Sequence, residues 1–128
     1  MRLLLDTHVL LWAVAASRRL PKSVRALIQD QENEVFYSAA SVWEVSIKAG
    51  LRRSDFEIDV EQFHASLPQA GFSEMPVRAA HAVAVSKLPE LHRDPFDGML
   101  VAQALLEPLV LVTNDEFLAK YPAPVRMI

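Results

Sequence analysis

Two short apolar runs, one near each end of the chain, constrain its fold more than any other feature. Met1 to Leu5 (MRLLL) is apolar apart from one arginine, and residues 109–113 (LVLVT) form the clearest strand pattern after it. Runs so short and so uniformly apolar suit strands that are buried on both faces, as in a parallel sheet. Strand-like and helical stretches broadly alternate between them, which predicts an α/β fold with right-handed crossovers and helices on both faces of the sheet.

Apolar spacing and end signals predict the remaining elements. Gly50 is expected to end one helix, and Asp59 with Gln62 has the spacing of a capping box at the start of the next. The predicted helices are 6–16, 22–31, 39–49, 59–69, 77–87 and 94–107, with a helical turn at 116–120. The predicted strands are 1–5, 34–38, 72–75, 109–113 and an edge strand at 125–128.

Composition narrows the possible classes of protein. The 128 residues fit one domain, which we expect to span residues 1–128, and the absence of cysteine excludes disulfides, thiolate metal sites and thiol nucleophiles. The sequence contains no run of about 18 apolar residues, so we expect no membrane span. Asp6 and His8 interrupt an N-terminus that otherwise looks like a signal peptide, so we expect a buried strand and helix there and a cytoplasmic location.

Acidic residues follow the predicted strands in a pattern. Asp6 comes directly after the first strand and Asp115 after the fourth, so both are expected on the rim where the carboxyl ends of parallel strands meet. Asp97 lies in the first turn of the helix that leads into the fourth strand. Glu44 lies within the helix after the second strand, among apolar neighbours, which is an unusual setting for a carboxylate.

Each acid taken singly also has a structural explanation. Asp94, Pro95 and Asp97 make a good helix start as N-cap, first and third residue, and the acids after the strands suit ordinary N-caps. Glu44 and Lys48 form an i, i+4 pair worth about 0.2–0.5 kcal/mol on a solvated face. One N-cap suffices for a helix, so capping explains Asp94 better than Asp97.

The four acids are more informative together than apart. Carboxylates that converge on one rim repel one another, and a divalent cation is the usual compensation. Oxygen ligands without cysteine favour Mg²⁺ or Mn²⁺, which would take Asp6, Asp97 and Asp115 directly or through water, with Glu44 completing the pocket. Such a cation lowers the pKa of a bound water and neutralises charge on a phosphodiester. The pattern therefore predicts a metal-dependent nuclease.

The net charge of −3 at first argues against a nucleic-acid substrate. Setting these four acids aside leaves twelve of the sixteen acidic residues against thirteen lysines and arginines, so the rest of the protein is close to neutral. Lys48, Arg52, Arg53 and Arg93 are candidate contacts to the phosphates of a substrate.

Four segments together resemble the PIN domain family, and more narrowly the VapC-type ribonuclease toxins of bacterial toxin–antitoxin pairs. They are DTHVLLW, SAASVWEVSIKAG, HRDPFDGMLVAQA and VTND, in that order along nearly the whole chain. The resemblance implies a doubly wound α/β fold with a central, mostly parallel sheet, and a Mg²⁺- or Mn²⁺-dependent endoribonuclease. The family's acidic positions fall here on Asp6, Glu44, Asp97 and Asp115, with Thr7 and Thr113 beside them.

The same resemblance implies a homodimer that a small antitoxin holds inactive by packing on apolar surface and covering the site. Trp12, Phe36 and Trp43 are candidates for such a surface, although the hydrophobic content fits a plain core equally well. The sequence departs from the family at Gly98, where an arginine is common, and this removes a cation beside the site.

Two other classes fit the sequence less well. A phosphatase of the haloacid-dehalogenase type needs D-x-D after the first strand, whereas this chain has Asp6-Thr7-His8. A non-catalytic partner-binding module on the same fold stays open, and Gly98 slightly favours it.

Overall fold

The computed structural model describes residues 1–51, 57–89 and 94–128. Five parallel strands form one sheet in the order β3-β2-β1-β4-β5. They are β1 (Arg2–Leu5), β2 (Glu34–Ser38), β3 (Ser73–Met75), β4 (Val110–Thr113) and β5 (Val125–Met127). The helices are α1 (Thr7–Val14), α2 (Lys22–Gln29), α3 (Ala39–Gly50), α4 (Val60–Gln69), α5 (Ala79–Val85) and α6 (Pro95–Leu106), with a 3₁₀ turn at Leu118–Lys120.

The first strand lies at the centre of the sheet and is buried on both faces, as its largely apolar sequence predicts. Leu3, Leu4 and Leu5 are all fully buried. Successive side chains of a strand point to opposite faces. Accordingly, Leu3 and Leu5 belong to one apolar cluster and Leu4 to the other.

Helices cover both faces of the sheet. The cluster around Leu3 contains side chains from α1, α2, α3 and α4, whereas the cluster around Leu4 contains side chains from α6 and from the turn that includes Leu118. This arrangement confirms the predicted doubly wound α/β fold.

Several predicted helix ends are wrong by one or two residues. The first helix ends at Val14 rather than residue 16, where Ala16 adopts a positive φ of 51°. Gly50 is still part of α3, and the helix ends at Leu51 without a left-handed residue. The helix predicted at 77–87 covers Ala79–Val85, because Arg78 is extended and caps it. The turn predicted at 116–120 is reduced to Leu118–Lys120.

The strand order fixes where a site is expected. The chain proceeds outward from β1 through β2 and β3, then returns to the other side of β1 with β4 and β5. The sheet therefore has a switch point between β1 and β4, and ligands of open α/β sheets bind outside the carboxyl ends of the strands at such a point. Within the residues described, no helix has the length and apolarity to cross a membrane.

Candidate functional site

A small cavity of about 120 Å³ lies at this switch point. The four acids singled out by sequence all line it, although they come from four separate segments of the chain. The lining residues are Asp6, Thr7, His8, Glu44, Lys48, Asp94, Asp97 and Asp115. A larger cavity of about 640 Å³ lies elsewhere, near Val35 at the start of β2 and Phe72 just before β3, and it contains none of these acids.

Asp6 joins the end of β1 to the start of α1. It is the N-cap of the helix, and its Oδ1 accepts a hydrogen bond from the Val9 N–H at 2.9 Å. Its Oδ2 accepts a hydrogen bond from the Thr113 hydroxyl at the end of β4. One carboxylate oxygen of Asp6 therefore caps the helix, as the capping explanation predicts, while the other is bonded to the neighbouring strand. Its role in a metal site stays a prediction.

Burial raises the pKa of the Asp6 carboxyl above its ordinary value. The hydrogen bonds from Thr113 and Val9 and the charge of His8 oppose this rise, while the nearby Asp115 adds to it. A buried carboxyl whose pKa is raised favours whatever places positive charge beside it. The cavity is thus electrostatically suited to bind a proton or a cation.

Glu44 is only 6% exposed and points into the cavity from α3. Its Oε1 accepts a hydrogen bond from the Thr7 hydroxyl at 2.7 Å, and its Oε2 accepts one from Lys48 Nζ at 2.7 Å. The predicted i, i+4 pair therefore forms, but at the cavity and with a buried acid rather than on a solvated face.

Ser41 belongs to the same network and was not singled out by sequence. It is buried, and its hydroxyl is hydrogen-bonded to the Thr7 hydroxyl at 2.9 Å. Ser41 precedes Glu44 by three residues, so both lie on one face of α3. That spacing was the only available signal, because the contact with Thr7 depends on how α1 and α3 pack.

Asp115 and Thr113 complete the wall formed by β4. The Asp115 N–H donates to Thr113 Oγ1 at 3.0 Å, and Asp115 Oδ1 accepts from the Phe117 N–H at 2.9 Å. The single hydroxyl of Thr113 therefore donates to Asp6 and accepts from Asp115, which ties the ends of two neighbouring strands together.

Asp94 and Asp97 enter the cavity from the start of α6. Asp94 is the N-cap, as predicted, and its Oδ1 accepts from the N–H groups of Phe96 at 2.9 Å and Asp97 at 3.4 Å. Both carboxylates line the cavity, so Asp94 contributes to its charge as well as to the helix start.

The residues predicted to contact substrate have separate outcomes. Lys48 lines the cavity. Arg52, Arg53 and Arg93 lie outside the described residues. His8 also lines the cavity, and the centroid of its ring lies 6.3 Å from that of the Trp12 ring.

Gly98 is buried in the first turns of α6. A Cβ at this position would lie 3.6 Å from Val85 Cγ1 of α5, which is ordinary van der Waals contact. The Cβ of any side chain at position 98 would therefore face α5.

The donor chemistry of the cavity fits a hard divalent cation. All its acidic side chains offer oxygen ligands, and Mg²⁺ takes only one or two carboxylates directly and fills its remaining positions with water. Among the aspartates, glutamates and histidines that the structure describes, no three are grouped as ready ligands of one ion. The arrangement is thus compatible with one or two direct carboxylate ligands and with water between the cation and the remaining acids.

Fold and cavity together define the class of protein: a doubly wound α/β domain with a carboxylate-lined cavity at the switch point of its sheet. The chain belongs to the PIN domain family, whose sequence model matches residues 3–124. The toxin members of this family are nucleases. The family resemblance drawn from the sequence motifs is therefore confirmed.

Solved structures with the same fold come from bacterial complexes. A chain of VapBC2 from Rickettsia felis, bound to a DNA fragment from its promoter, has a TM-score of 0.72 and 18% identity over 100% of this chain and 99% of that chain. A chain of DNA-bound VapBC from Salmonella typhimurium has a TM-score of 0.69 and 16% identity over 100% of this chain and 97% of that chain. A chain of a toxin–antitoxin complex from Klebsiella pneumoniae has a TM-score of 0.63 and 21% identity over 97% of this chain and 95% of that chain. No curated protein sequence matches significantly.

Proposed function

We propose that this protein is a Mg²⁺- or Mn²⁺-dependent endoribonuclease and the toxin of a type II toxin–antitoxin pair. The observation that carries the proposal is the meeting of Asp6, Glu44, Asp97 and Asp115 in one cavity at the switch point of a PIN domain. An RNA substrate and a cysteine-free chain together favour the cytoplasm as its location.

In this proposal Asp6, Asp97 and Asp115 hold the cation directly or through water, and Glu44 holds a further water or a second ion. When bound, the cation lowers the pKa of a water and neutralises charge on the phosphodiester. Without it, the crowded carboxylates would repel an RNA backbone. With it, the remainder of the chain is nearly neutral and tolerates the approach of a polyanion.

The chain's own hydroxyl groups hold the carboxylates in place. Thr113 fixes one oxygen of Asp6, and Thr7 fixes one oxygen of Glu44. Ser41 in turn supports Thr7. Because these groups are buried and mutually bonded, the acids are oriented before a substrate arrives, which is how preorganised polar groups contribute to catalysis.

The proposed contacts to the phosphates of the RNA backbone come from basic side chains. They are Lys48, which lines the cavity, and Arg52, Arg53 and Arg93. Lysine and arginine contacts of this kind position the phosphates and carry no base specificity.

The proposed antitoxin contact is a groove of about 400 Å³ along α1 and α4. Leu11, Val14 and Phe63 line it together with the acids Glu57 and Asp59. An apolar groove edged by acids fits a partner segment that is amphipathic and carries basic residues. Trp12 packs partly on the core and Phe36 is buried, so neither offers an open partner surface.

The proposed homodimer contact is the exposed face of α3. Trp43, Ile47 and Leu51 follow one another at intervals of four residues and are 64%, 41% and 60% exposed. Beside them lies an apolar groove of about 470 Å³, and none of its lining residues in the described part of the chain is charged. A face with both a protruding ring and an uncharged groove is suited to pair with its own copy across a two-fold axis.

Cleavage of RNA tests the proposed activity. The purified protein is expected to cut RNA with Mg²⁺ or Mn²⁺, to stop with EDTA and to recover when the metal is restored. Asp97→Asn should lose this activity, while the same change at exposed Asp30 serves as the matched control. Undiminished cleavage by the Asp97→Asn variant would remove the proposed site.

The second candidate is a catalytically weak or inactive partner-binding module. The observation that favours it is that no three described acids or histidines are grouped as ligands of one ion. Failure of the parent protein both to bind Mn²⁺ and to cut any RNA would establish this alternative.

A further inference from the structure

We propose that Lys48 is an internal counter-ion of the acid cavity, which a divalent cation displaces from Glu44 and thereby frees to contact a substrate phosphate. This inference rests on the proposed function in one respect, because the phosphate contact needs an RNA substrate. The exchange of Lys48 for a metal ion is a property of the protein alone.

The contacts of Glu44 determine which oxygen is available to a cation. Oε1 is held at 2.7 Å by Thr7, which is itself buried and bonded to Ser41. Oε2 is held at 2.7 Å by the ammonium of Lys48. A cation that reaches Glu44, directly or through a water that it holds, therefore replaces Lys48 more readily than Thr7, because replacing Thr7 would break a buried network.

Lys48 is free to move where Thr7 is not. Its side chain is 38% exposed, against 8% for that of Glu44. Its ammonium is a compact, strongly hydrated charge on a flexible four-carbon stem, so water compensates for the lost ion pair. The backbone of Lys48 stays one helical turn from Glu44 on α3, and the released ammonium remains at the edge of the cavity.

Charge gives the exchange its direction. Five carboxylates line the cavity, and among the described residues Lys48 is the one lysine or arginine beside them. The ammonium partly neutralises the acids when no metal is bound, which reduces their repulsion. A divalent cation compensates the same acids more fully, and it also repels the ammonium outward toward an incoming phosphate. We therefore expect metal binding to precede productive binding of RNA.

The affinity for Mn²⁺ without RNA tests the exchange. Lys48→Met keeps the length of the aliphatic stem and removes the charge that competes for Glu44. Its dissociation constant for Mn²⁺, from paramagnetic resonance of the free ion, should be lower than that of the parent by at least about fivefold, the smallest effect typical of coupled sites. Lys22→Met on α2 changes the net charge equally and should leave the affinity unchanged.

The reactivity of the Lys48 amine tests displacement directly in the parent protein. Acetylation of Lys48, followed by mass spectrometry, should become faster when Mg²⁺ is added, whereas that of Lys22 should not change. This measurement stands even where Lys48→Met fails to fold. Equal or weaker Mn²⁺ affinity in a folded Lys48→Met variant, or unchanged Lys48 acetylation, would overturn the exchange.

The two proposals fail separately. Tighter Mn²⁺ binding by Lys48→Met with no RNA cleavage by the parent would refute the nuclease and leave the exchange standing. Metal-dependent RNA cleavage by the parent, with the same Mn²⁺ affinity in Lys48→Met as in the parent, would refute the exchange and support the nuclease. A parent and variant that both bind no Mn²⁺ would refute the exchange, and the cleavage assay with EDTA would then decide the nuclease independently.

Discussion

The hydroxyl of Thr113 donates a hydrogen bond to the carboxylate of Asp6 across 107 residues of sequence. The same hydroxyl oxygen accepts a bond from the backbone N–H of Asp115 at 3.0 Å. Because β1 and β4 are neighbours at the switch point, one side chain thus positions two acids that follow adjacent strands.

Thr113→Val should disrupt this connection while nearly preserving shape. The change leaves the buried Asp6 oxygen without its donor, so the free energy of unfolding should fall by about 1–3 kcal/mol. The change should also raise the pKa of Asp6 further, because the hydrogen bond from Thr113 stabilises the ionised carboxylate and is absent in the variant. Urea denaturation measures the change in stability, and an NMR titration of the Asp6 carboxyl with pH measures the change in its pKa. Thr113→Ser retains the hydroxyl and is the matched control, and equal losses in both variants would contradict the assigned role.

Asp6 should make the protein less stable as the pH rises through the acidic range. Burial raises its folded-state pKa, so the folded protein keeps a proton that the unfolded chain has already released. The contribution of Asp6 to the free energy of unfolding therefore falls as the pH rises from the ordinary pKa of 3.8 to the higher folded-state pKa. Above the folded-state pKa this contribution does not recover.

Asp6→Asn lacks this titration, so its stability relative to the parent should improve over the same pH interval. Urea denaturation at a series of pH values, without divalent metal, measures the difference between the two proteins. Exposed Asp30→Asn removes the same charge and serves as the control. A difference that moves in the opposite direction with pH would show that the fold favours the ionised carboxyl.

Gly98 and Gly71 should respond oppositely to alanine. A Cβ at Gly98 meets Val85 at an ordinary distance, so Gly98→Ala should stabilise α6 by up to about 1 kcal/mol. Gly71 has a φ of +85°, and alanine there should cost about 1–2 kcal/mol through backbone strain. Thermal unfolding measures both changes. Destabilisation by Gly98→Ala would mean that α5 and α6 pack more tightly than described.

Trp43→Ser should weaken the proposed homodimer. The exposed ring lies beside the uncharged groove, and its removal takes apolar area out of the self-complementary face. Sedimentation velocity across a range of concentrations should detect a shift from dimer toward monomer. Leu106→Ser removes another half-exposed apolar side chain away from that groove and should have no effect. A parent protein that is monomeric throughout would contradict the dimer proposal.

The sequence predicted the sheet better than the details of its surroundings. The strands containing Leu3 to Leu5 and Val110 to Thr113 are recognisable because strands buried on both faces are uniformly apolar. Helix ends were less predictable, since nothing local marks Ala16 as the residue with a positive φ. Gly50 was predicted to end α3, but the helix includes Gly50, and Leu51 caps it in an ordinary right-handed conformation.

The acids of the site were predictable from their order along the chain, but their surroundings were not. Residues after parallel strands meet at one rim, which indicated that Asp6 and Asp115 would lie close together. The burial of Glu44 and its bond to Thr7 depend on how α1 packs against α3, and a helix sequence alone does not specify that contact. The roles of these acids in binding metal and cutting RNA stay predictions.

A crystal structure with bound Mn²⁺, located by its anomalous scattering, tests the central claim most directly. The account predicts an ion in the cavity between β1 and β4, held by one or two of Asp6, Asp97 and Asp115, with the others reaching it through water. Carboxylates that remain too far apart to share a cation at saturating Mn²⁺, with no ion between them, would contradict it.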